Sequence, residues 1–505
     1  MIPMKKVARN WSFGLALLIA PSAWADNKPK SSPAPKPAAH PAAKANSRTA
    51  PAGHAATTNS GASHPTVNHP GTAAHTGASR TGAARPTTTT PHAGAAGSHF
   101  GSGPSTTRTF SNGTTARFSA GGRIQSIHTA RGVTINRLPG GRRTIAAERN
   151  GRTLVSTGPN SGYMQRAYLN RNGREYVQRT YVVGGRTSVY VYNRYSYRGG
   201  FYYGYVPAFY FGPAFYGWAF DPWASPVYYR WGWRSAAWYA PYNYYFAPAP
   251  YYPVASLWLT DYLLAESLRA SSDASSASLA LQAQSGAQAD QSTAQNTVLT
   301  PEIKQAIADE VKRQIDAERA AAVIPRQPAA TASAPAQTPE PRPAAAAPAP
   351  TQVAEERPAA LDPAVSVFVV SSNLDVTAGD QGCSLSPGDV ITRLDNTPDA
   401  KQNVGVKVAT SKRSDCPAGE RVVVAVADLQ EMHNQFRAKI DSGLKMLADN
   451  QGQNGLPPAP DTQTVAGDVP PPAADTVRVD LQNLRAEADQ AEADVKSQNA
   501  AAGRS

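Results

Sequence analysis

The sequence predicts a multidomain, largely disordered chain: an antiparallel β meander with an aromatic-rich wrap, followed by a small disulfide-bonded α+β domain. Three observations predict it. Of 505 residues, 43 are Pro and 39 are Gly, gathered in long tracts that lower the ordered total. Between residues 121 and 200 short alternating runs are divided by turn dipeptides such as Asn150-Gly151 and Asn172-Gly173, which supply the positive φ of two-residue hairpins. After residue 364, four β-like runs lead into a helix-period apolar stripe, and the two cysteines of the chain lie among them.

The first element, residues 1–25, reads as a cleavable secretory signal. Lys5, Lys6 and Arg9 precede an apolar run from Phe13 to Ala20, and Ala23-Trp24-Ala25 gives a small-residue cleavage site before Asp26. That run is well short of the ~20 residues a bilayer span needs, and later stretches of such length are interrupted by Pro, Gly or charge. Export to the periplasm, outer-membrane surface or extracellular space is therefore expected, with no transmembrane span after cleavage. Residues 26–120 are Ala, Pro, Thr, Ser, Gly and His with few large apolar side chains, a composition that cannot offset chain entropy, so disorder is expected. Seven histidines fall here (His40, His54, His64, His69, His75, His92 and His99) at irregular spacing, which suits a polar spacer better than metal capture.

Residues 121–269 form a basic, aromatic-rich β domain. Gly-Arg recurs at Gly122-Arg123, Gly141-Arg142, Gly151-Arg152, Gly173-Arg174 and Gly185-Arg186, at intervals suited to hairpin arms. In the last arm Arg186, Ser188, Tyr190, Tyr192 and Arg194 share one face, expected to be wet and cationic, while Thr187, Val189, Val191 and Tyr195 share the packed one. Every basic residue from Arg48 to Arg234 is arginine, the side chain suited to planar contact with carboxylate or phosphate and to stacking on rings. Residues 201–260 hold 25 of the 42 aromatics, broken by eight prolines from Pro207 to Pro253 that exclude a membrane helix. Those rings either complete the core of the preceding sheet, present a sugar-stacking surface, or form an interfacial belt at a membrane.

The block from Gly121 to about Arg269, with Tyr229-Arg230-Trp231-Gly232-Trp233 and Trp258-Leu259-Thr260-Asp261-Tyr262-Leu263-Leu264, resembles uncharacterised Tyr/Trp-rich exported proteins of environmental bacteria. The resemblance implies export and envelope residence and carries no activity.

Residues 270–299 read as a polar linker. Thr300-Pro301-Glu302 opens a helix over 300–322 with Ile303, Ile307, Val311 and Ile315 in one stripe. Residues 323–363 form a Pro/Ala linker. In the α+β domain, 364–450, strands are expected at Val365–Val370, Asp389–Leu394, Val404–Ala409 and Arg421–Val426. Asp428 and Glu431 then form a capping-box-like start to a helix whose Leu429, Met432, Phe436, Ile440, Leu444 and Leu447 line one face. Cys383 and Cys416, in one small domain of an exported chain, are expected to form a disulfide. Leu385-Ser386-Pro387-Gly388-Asp389-Val390-Ile391 and Pro417–Val422 resemble a bacterial PDZ repeat, which implies extended-peptide binding by strand addition; a convergent Gly-Asp turn in another small barrel is the alternative. The family's Gly-Leu-Gly-Phe loop has no counterpart before Phe368, and strand-like Val404–Ala409 stands where its recognition helix would be. Residues 451–475 are a linker, 476–498 a helix with Val477, Leu481, Leu484, Ala488, Ala491 and Val495 in a coiled-coil-like seam, and 499–505 a tail. Weak self-association is expected through helices 303–315 and 477–495.

Charge is asymmetric. Residues 26–260 hold 25 Lys and Arg against 4 Asp and Glu, and residues 261–505 hold 21 against 32. A basic front implies an anionic partner: an envelope polymer, the outer-membrane surface, or the chain's own acidic half. A periplasmic protein is a second expected partner, and nucleic acid is not expected. The expected anion contacts are Arg174, Arg179, Arg186, Arg194, Arg230 and Arg234, beside an aromatic surface of Tyr229, Trp231 and Trp233. Catalytic signatures are absent: there is no phosphate loop, no His-Glu-x-x-His and no Gly-x-Ser-x-Gly, and Ser442-Gly443-Leu444-Lys445 lacks a Lys-Thr-Gly partner. No cofactor and no metal site are expected. The expectation is a non-enzymatic envelope protein that binds an anionic polymer or membrane surface; the alternatives are a periplasmic PDZ-like adaptor, and a wall-glycan hydrolase using Glu148, Glu175 or Asp221.

Overall fold

The computed structural model describes residues 105–137, 143–158, 160–285, 298–324, 356–378, 381–412, 416–472 and 476–502, with side chains of the first long helix described as far as 276. The expected signal peptide, the histidine-rich segment and most of the 323–363 linker lie outside these residues. Ten strands come first: β1 (Ser105–Thr109), β2 (Thr115–Ser119), β3 (Ile124–His128), β4 (Val133–Arg137), β5 (Arg143–Arg149), β6 (Arg152–Gly158), β7 (Ser161–Arg171), β8 (Arg174–Val183), β9 (Arg186–Tyr197) and β10 (Gly200–Val206). The short β11 (Phe209–Phe211), helices α1 (Pro213–Phe220), α2 (Ala255–Ser285) and α3 (Pro301–Ala322) follow. Then come β12 (Val367–Val369), β13 (Leu374–Ala378), β14 (Gln381–Leu385), β15 (Val390–Arg393), β16 (Asn403–Thr410), β17 (Arg421–Ala425), α4 (Val426–Asn450), β18 (Thr464–Ala466) and α5 (Arg478–Ala502).

β1 to β10 make the expected meander, each strand antiparallel to the next in sequence order. Two-residue turns close it, with Asn150 and Asn172 both at φ 52° and Gly151 and Gly173 at 71° and 73°, the left-handed pair that the strand twist demands. The sheet begins earlier than expected. β1 and β2 fall within the segment read as disordered, because Ala116 and Phe118 find a distant apolar partner in α5. The pairs Ile135↔Ile145, Ala147↔Leu154 and Leu154↔Met164 put one apolar row on a single face. There Val477, Leu481, Leu484, Ala488 and Val495 of the α5 segment bury it.

The opposite face of the long strands is covered by α4. Val177, Tyr192 and Tyr205 pack against Ala438, and Asn434 caps the β10 edge, accepting from the Tyr205 N–H at 3.0 Å and donating to the Tyr203 carbonyl at 2.7 Å. An amide thus stands in for an eleventh strand and closes that edge. Both faces of β9 are covered: Tyr192, on the face expected to be wet, is fully buried, and Val191 and Tyr195, on the face expected to be packed, are buried as well. Alternation identified two faces but could not say which a distant helix would take.

The aromatic block packs mainly against helices rather than wrapping the meander. Phe215, Tyr216, Trp231, Tyr245, Phe246 and Tyr252 share a core with Trp258 and Leu264 of α2, Ile307, Val311 and Ile315 of α3, and Ile440 and Leu444 of α4. α2 closes the aromatic block and runs on into the 270–299 segment read as a linker. The apolar stripes of α3 and α5 are both buried in the chain itself, which removes the basis for self-association through them. Thr300 caps α3 as expected, accepting from the Ile303 N–H. β18 pairs with β11, so the 451–475 segment is strapped onto the aromatic block. Gly467 permits this approach, since a Cβ there would lie 2.2 Å from the Pro207 carbonyl oxygen.

The six-stranded sheet, ordered β12-β15-β16-β17-β13-β14, includes the four expected strands and one hairpin, β13–β14, that the sequence reading missed. The Cys383–Cys416 disulfide is present, with both residues buried and the Cα atoms 5.2 Å apart. α4 starts at Val426, so Asp428 and Glu431 do not form its cap; the Val426 N–H instead donates to the Gln402 carbonyl. No described helix is long and apolar enough to cross a membrane.

Candidate functional site

Arginine is where the sequence places recognition, and the structure divides the arginines into two groups. Arg179 on β8 is 4% exposed. Its guanidinium lies 4.5, 4.8 and 5.2 Å from the ring centres of Tyr203, Tyr192 and Tyr163. It donates to Gln165 Oε1 at 2.7 Å and to Glu431 Oε2 of α4 at 2.7 Å. The Tyr181 hydroxyl donates to the other Glu431 oxygen at 2.7 Å, and Gln435 donates to it at 3.1 Å. Burial pushes the Tyr163 hydroxyl up to about 12, so it stays neutral beside the cation. Asp428, one helical turn from Glu431, is pushed up to about 7 by burial and by the Glu431 charge. This box is filled by the chain's own arginine and clamps α4 to the meander.

Other arginines are engaged in the same way. Arg186 pairs with Asp273 at 3.0 Å and lies 3.7 Å from Glu266, both on α2. Arg194 pairs with Glu175 at 2.7 Å and covers the Phe201 ring at 3.8 Å. Arg137, Arg143 and Arg149 meet Glu492, Asp489 and Glu487 of α5. Five arginines of the basic front, Arg137, Arg143, Arg149, Arg179 and Arg186, are therefore answered by the acidic rear, the third of the partners that the charge asymmetry admitted.

Arg174, Arg230 and Arg234 are different. All three are exposed, and among the described residues none has an ion-pair partner. Around Arg230 the chain is extended and tied to a second segment by the Val227↔Tyr252 bridge. Along it side chains alternate: Tyr229 and Trp231 turn inward, the Trp231 ring stacked 4.9 Å from Trp258 and its Nε1 donating to the Tyr252 hydroxyl at 2.7 Å. Tyr228 and Arg230 turn outward. Tyr228 and Tyr251, 53% and 59% exposed, meet edge to face at 6.1 Å. Of the aromatic residues chosen from sequence, Trp231 is core, while Tyr229 and Trp233 are half-buried. Tyr228 and Tyr251 are the most exposed rings of the block, ahead of Phe201 and Tyr244, and period-2 alternation from a buried Trp231 would have indicated Tyr228.

The residues weighed for catalysis do not converge. Glu148 on β5 and Glu175 on β8 are three strand spacings apart, about 14 Å, beyond the separation of a glycosidase pair. Asp221 is exposed at the end of α1. Ser442 donates to the Ala438 carbonyl and Lys445 pairs with Asp449, so these two do not meet. Two buried ion pairs have a structural role. Lys304 meets Asp261 at 2.6 Å beneath Tyr252. Lys412 Nζ lies 2.8 Å from Ser386 Oγ and 3.2 Å from Asp389 Oδ1, and it donates to the Pro387 carbonyl at 2.5 Å, so it ties the 386–389 turn to the end of β16. His433 is buried and lowered to about 3 by burial and by Arg437 and Arg313. Among the described residues no group of three or more His, Cys, Asp or Glu could hold a metal. In the segment resembling a PDZ repeat, Val404–Ala409 belongs to β16, inside the sheet. Comparison with protein-family models, with curated proteins and with solved structures finds no match.

Proposed function

We propose that this chain is a non-enzymatic, exported cell-envelope protein that holds an acidic polymer through the guanidinium and ring surface left after its internal pairing. The observation that carries the reading is the outward ledge of Tyr228, Tyr251 and Arg230, with exposed Arg234 four residues on. Rigid tyrosine rings offer apolar faces to sugar rings at low entropic cost, and an unpaired guanidinium beside them offers bidentate contact to carboxylate or phosphate. The disulfide suits an oxidising compartment.

The test is salt-dependent co-sedimentation of the mature chain with purified envelope fractions. Retention at low ionic strength, lost as salt screens the contacts and weakened in the R230Q/R234Q variant, is the expected result. Equal retention of variant and parent, or no retention at any salt, would refute the reading.

A further inference from the structure

Within the aromatic block a row of rings runs from the surface to a buried carboxylate. Trp238 and Trp233, both half-buried, have ring centres 5.8 Å apart, and Trp233 lies 5.4 Å from Trp231, which is buried. The next ring is Tyr252, fully buried, 6.3 Å from Trp231 and joined to it by the bond from the indole Nε1 to the hydroxyl at 2.7 Å. That hydroxyl donates in turn to Asp261 Oδ2 at 2.6 Å. Asp261 is fully buried as well, accepts from the Ala249 N–H at 2.6 Å and meets Lys304 at 2.6 Å.

The two ring types respond differently to the loss of an electron. An indole persists as a radical cation that keeps its N–H, whereas an oxidised phenol is a strong acid and persists only as the neutral radical, once a base has taken its proton. Tyr239 lies 4.8 Å from Trp233, but its hydroxyl donates to the Phe246 carbonyl, which is no base. Tyr262 stacks 5.7 Å from Trp258, beyond Trp231, and no carboxylate among the described residues accepts from its hydroxyl. Tyr252 has an acceptor within hydrogen-bond reach that can take the proton. Burial outweighs Lys304 and holds the Asp261 carboxyl above its ordinary value, which favours that uptake.

We infer that Trp238, Trp233 and Trp231 carry an oxidising equivalent inward and that Tyr252 stores it as a neutral radical, its proton held by Asp261. The oxidant is a small one-electron acceptor of the oxygen-radical class, such as the carbonate or sulfate radical, arriving at the Trp238 edge. It takes one electron from Trp238, which is refilled from Trp233, Trp233 from Trp231, and Trp231 from Tyr252. As Tyr252 gives up its electron, its O–H bond breaks and an O–H bond forms at Asp261 Oδ2. The oxidant is reduced by one electron, Tyr252 is oxidised by one, and the three indoles end unchanged. Each chain stores a single equivalent without turnover. This trap is independent of polymer binding, since it uses the inward side of the aromatic block rather than the outward ledge.

The full mature chain is illuminated with a ruthenium tris-bipyridyl sensitiser and persulfate, and the radicals are followed by transient absorption and, after freezing, by electron paramagnetic resonance. The parent should show a tryptophanyl signal that gives way to a long-lived tyrosyl one, more slowly in D2O than in H2O because a proton crosses with the electron. Y252F should keep the tryptophanyl signal and lose the long-lived tyrosyl one. W231F should lose the tyrosyl signal as well, while W218F, whose ring lies off the path against Phe215 and Trp223, should match the parent. A long-lived tyrosyl signal that survives in Y252F or W231F, a loss in W218F as large as that in W231F, or equal rates in the two solvents would each overturn the trap. Where a variant fails to fold, the comparison of solvents in the parent decides.

Discussion

Arg179→Ala removes a buried cation from a box that keeps solvent access only on the Glu431 side. The side chain loses charge-assisted bonds to Gln165 and Glu431 and three ring contacts, and Glu431 is left with Tyr181 and Gln435 as donors but no counter-charge. Breaking a buried pair from one side costs ~3–5 kcal/mol. Because Glu431 retains 29% exposure and can recruit water, the expected loss lies at the lower end, about 3 kcal/mol. Urea unfolding followed by tryptophan emission measures it, with unchanged m confirming that only stability has moved. R179M/E431Q, which keeps the alkyl stem and discharges both partners, should recover part of the loss. A change below about 0.5 kcal/mol in R179A would show that α4 is not clamped through this residue and would refute the distinction between engaged and free arginines.

Three further outcomes follow from buried groups. Glu318 of α3 is raised above the ordinary carboxyl range by burial and by Asp441 of α4, so the folded chain retains a proton that the unfolded chain releases. That contribution is fully present below the unfolded glutamate value and is lost as pH rises through the folded one; chemical unfolding of E318Q between pH 5 and 8 should therefore be flatter than that of the parent, and parallel curves would contradict it. C383S/C416S opens a loop of 33 residues and should cost about 3–4 kcal/mol, read as a drop in urea midpoint against the parent under oxidising conditions. Glu492, 6% exposed, meets both Arg137 and Arg143, so E492Q should loosen α5 by about 1–3 kcal/mol and raise dye binding at the apolar row beneath it.

Local chemistry was legible and distant partners were not. Asn150-Gly151, Asn172-Gly173, the Thr300 cap and the α4 stripe each report a backbone or face requirement met within a few residues. The β13–β14 hairpin was missed although Leu374, Val376, Cys383 and Leu385 alternate with Asp375, Thr377, Gly382 and Ser384, because each arm is only five residues long. Asp428 and Glu431 have capping spacing, but the Gln402 carbonyl satisfies the helix start, and Glu431 is drawn to an arginine 252 positions away. The 477–495 seam has the period of a coiled coil, yet its partner is a sheet whose apolar row spans seven strands, information that no heptad count holds. The same limit applied to the arginines: charge asymmetry announced that an acid would meet them, and the fold alone sorted those met within the chain from Arg174, Arg230 and Arg234.

Photo-crosslinking in intact envelopes addresses that sorting most directly. A photoreactive residue replacing Tyr228 or Arg174 should form a salt-sensitive adduct with acidic glycan, while one replacing Ala488, on the buried face of α5, should form none. Adducts confined to protein at the two exposed positions, or no adduct at either, would contradict the account.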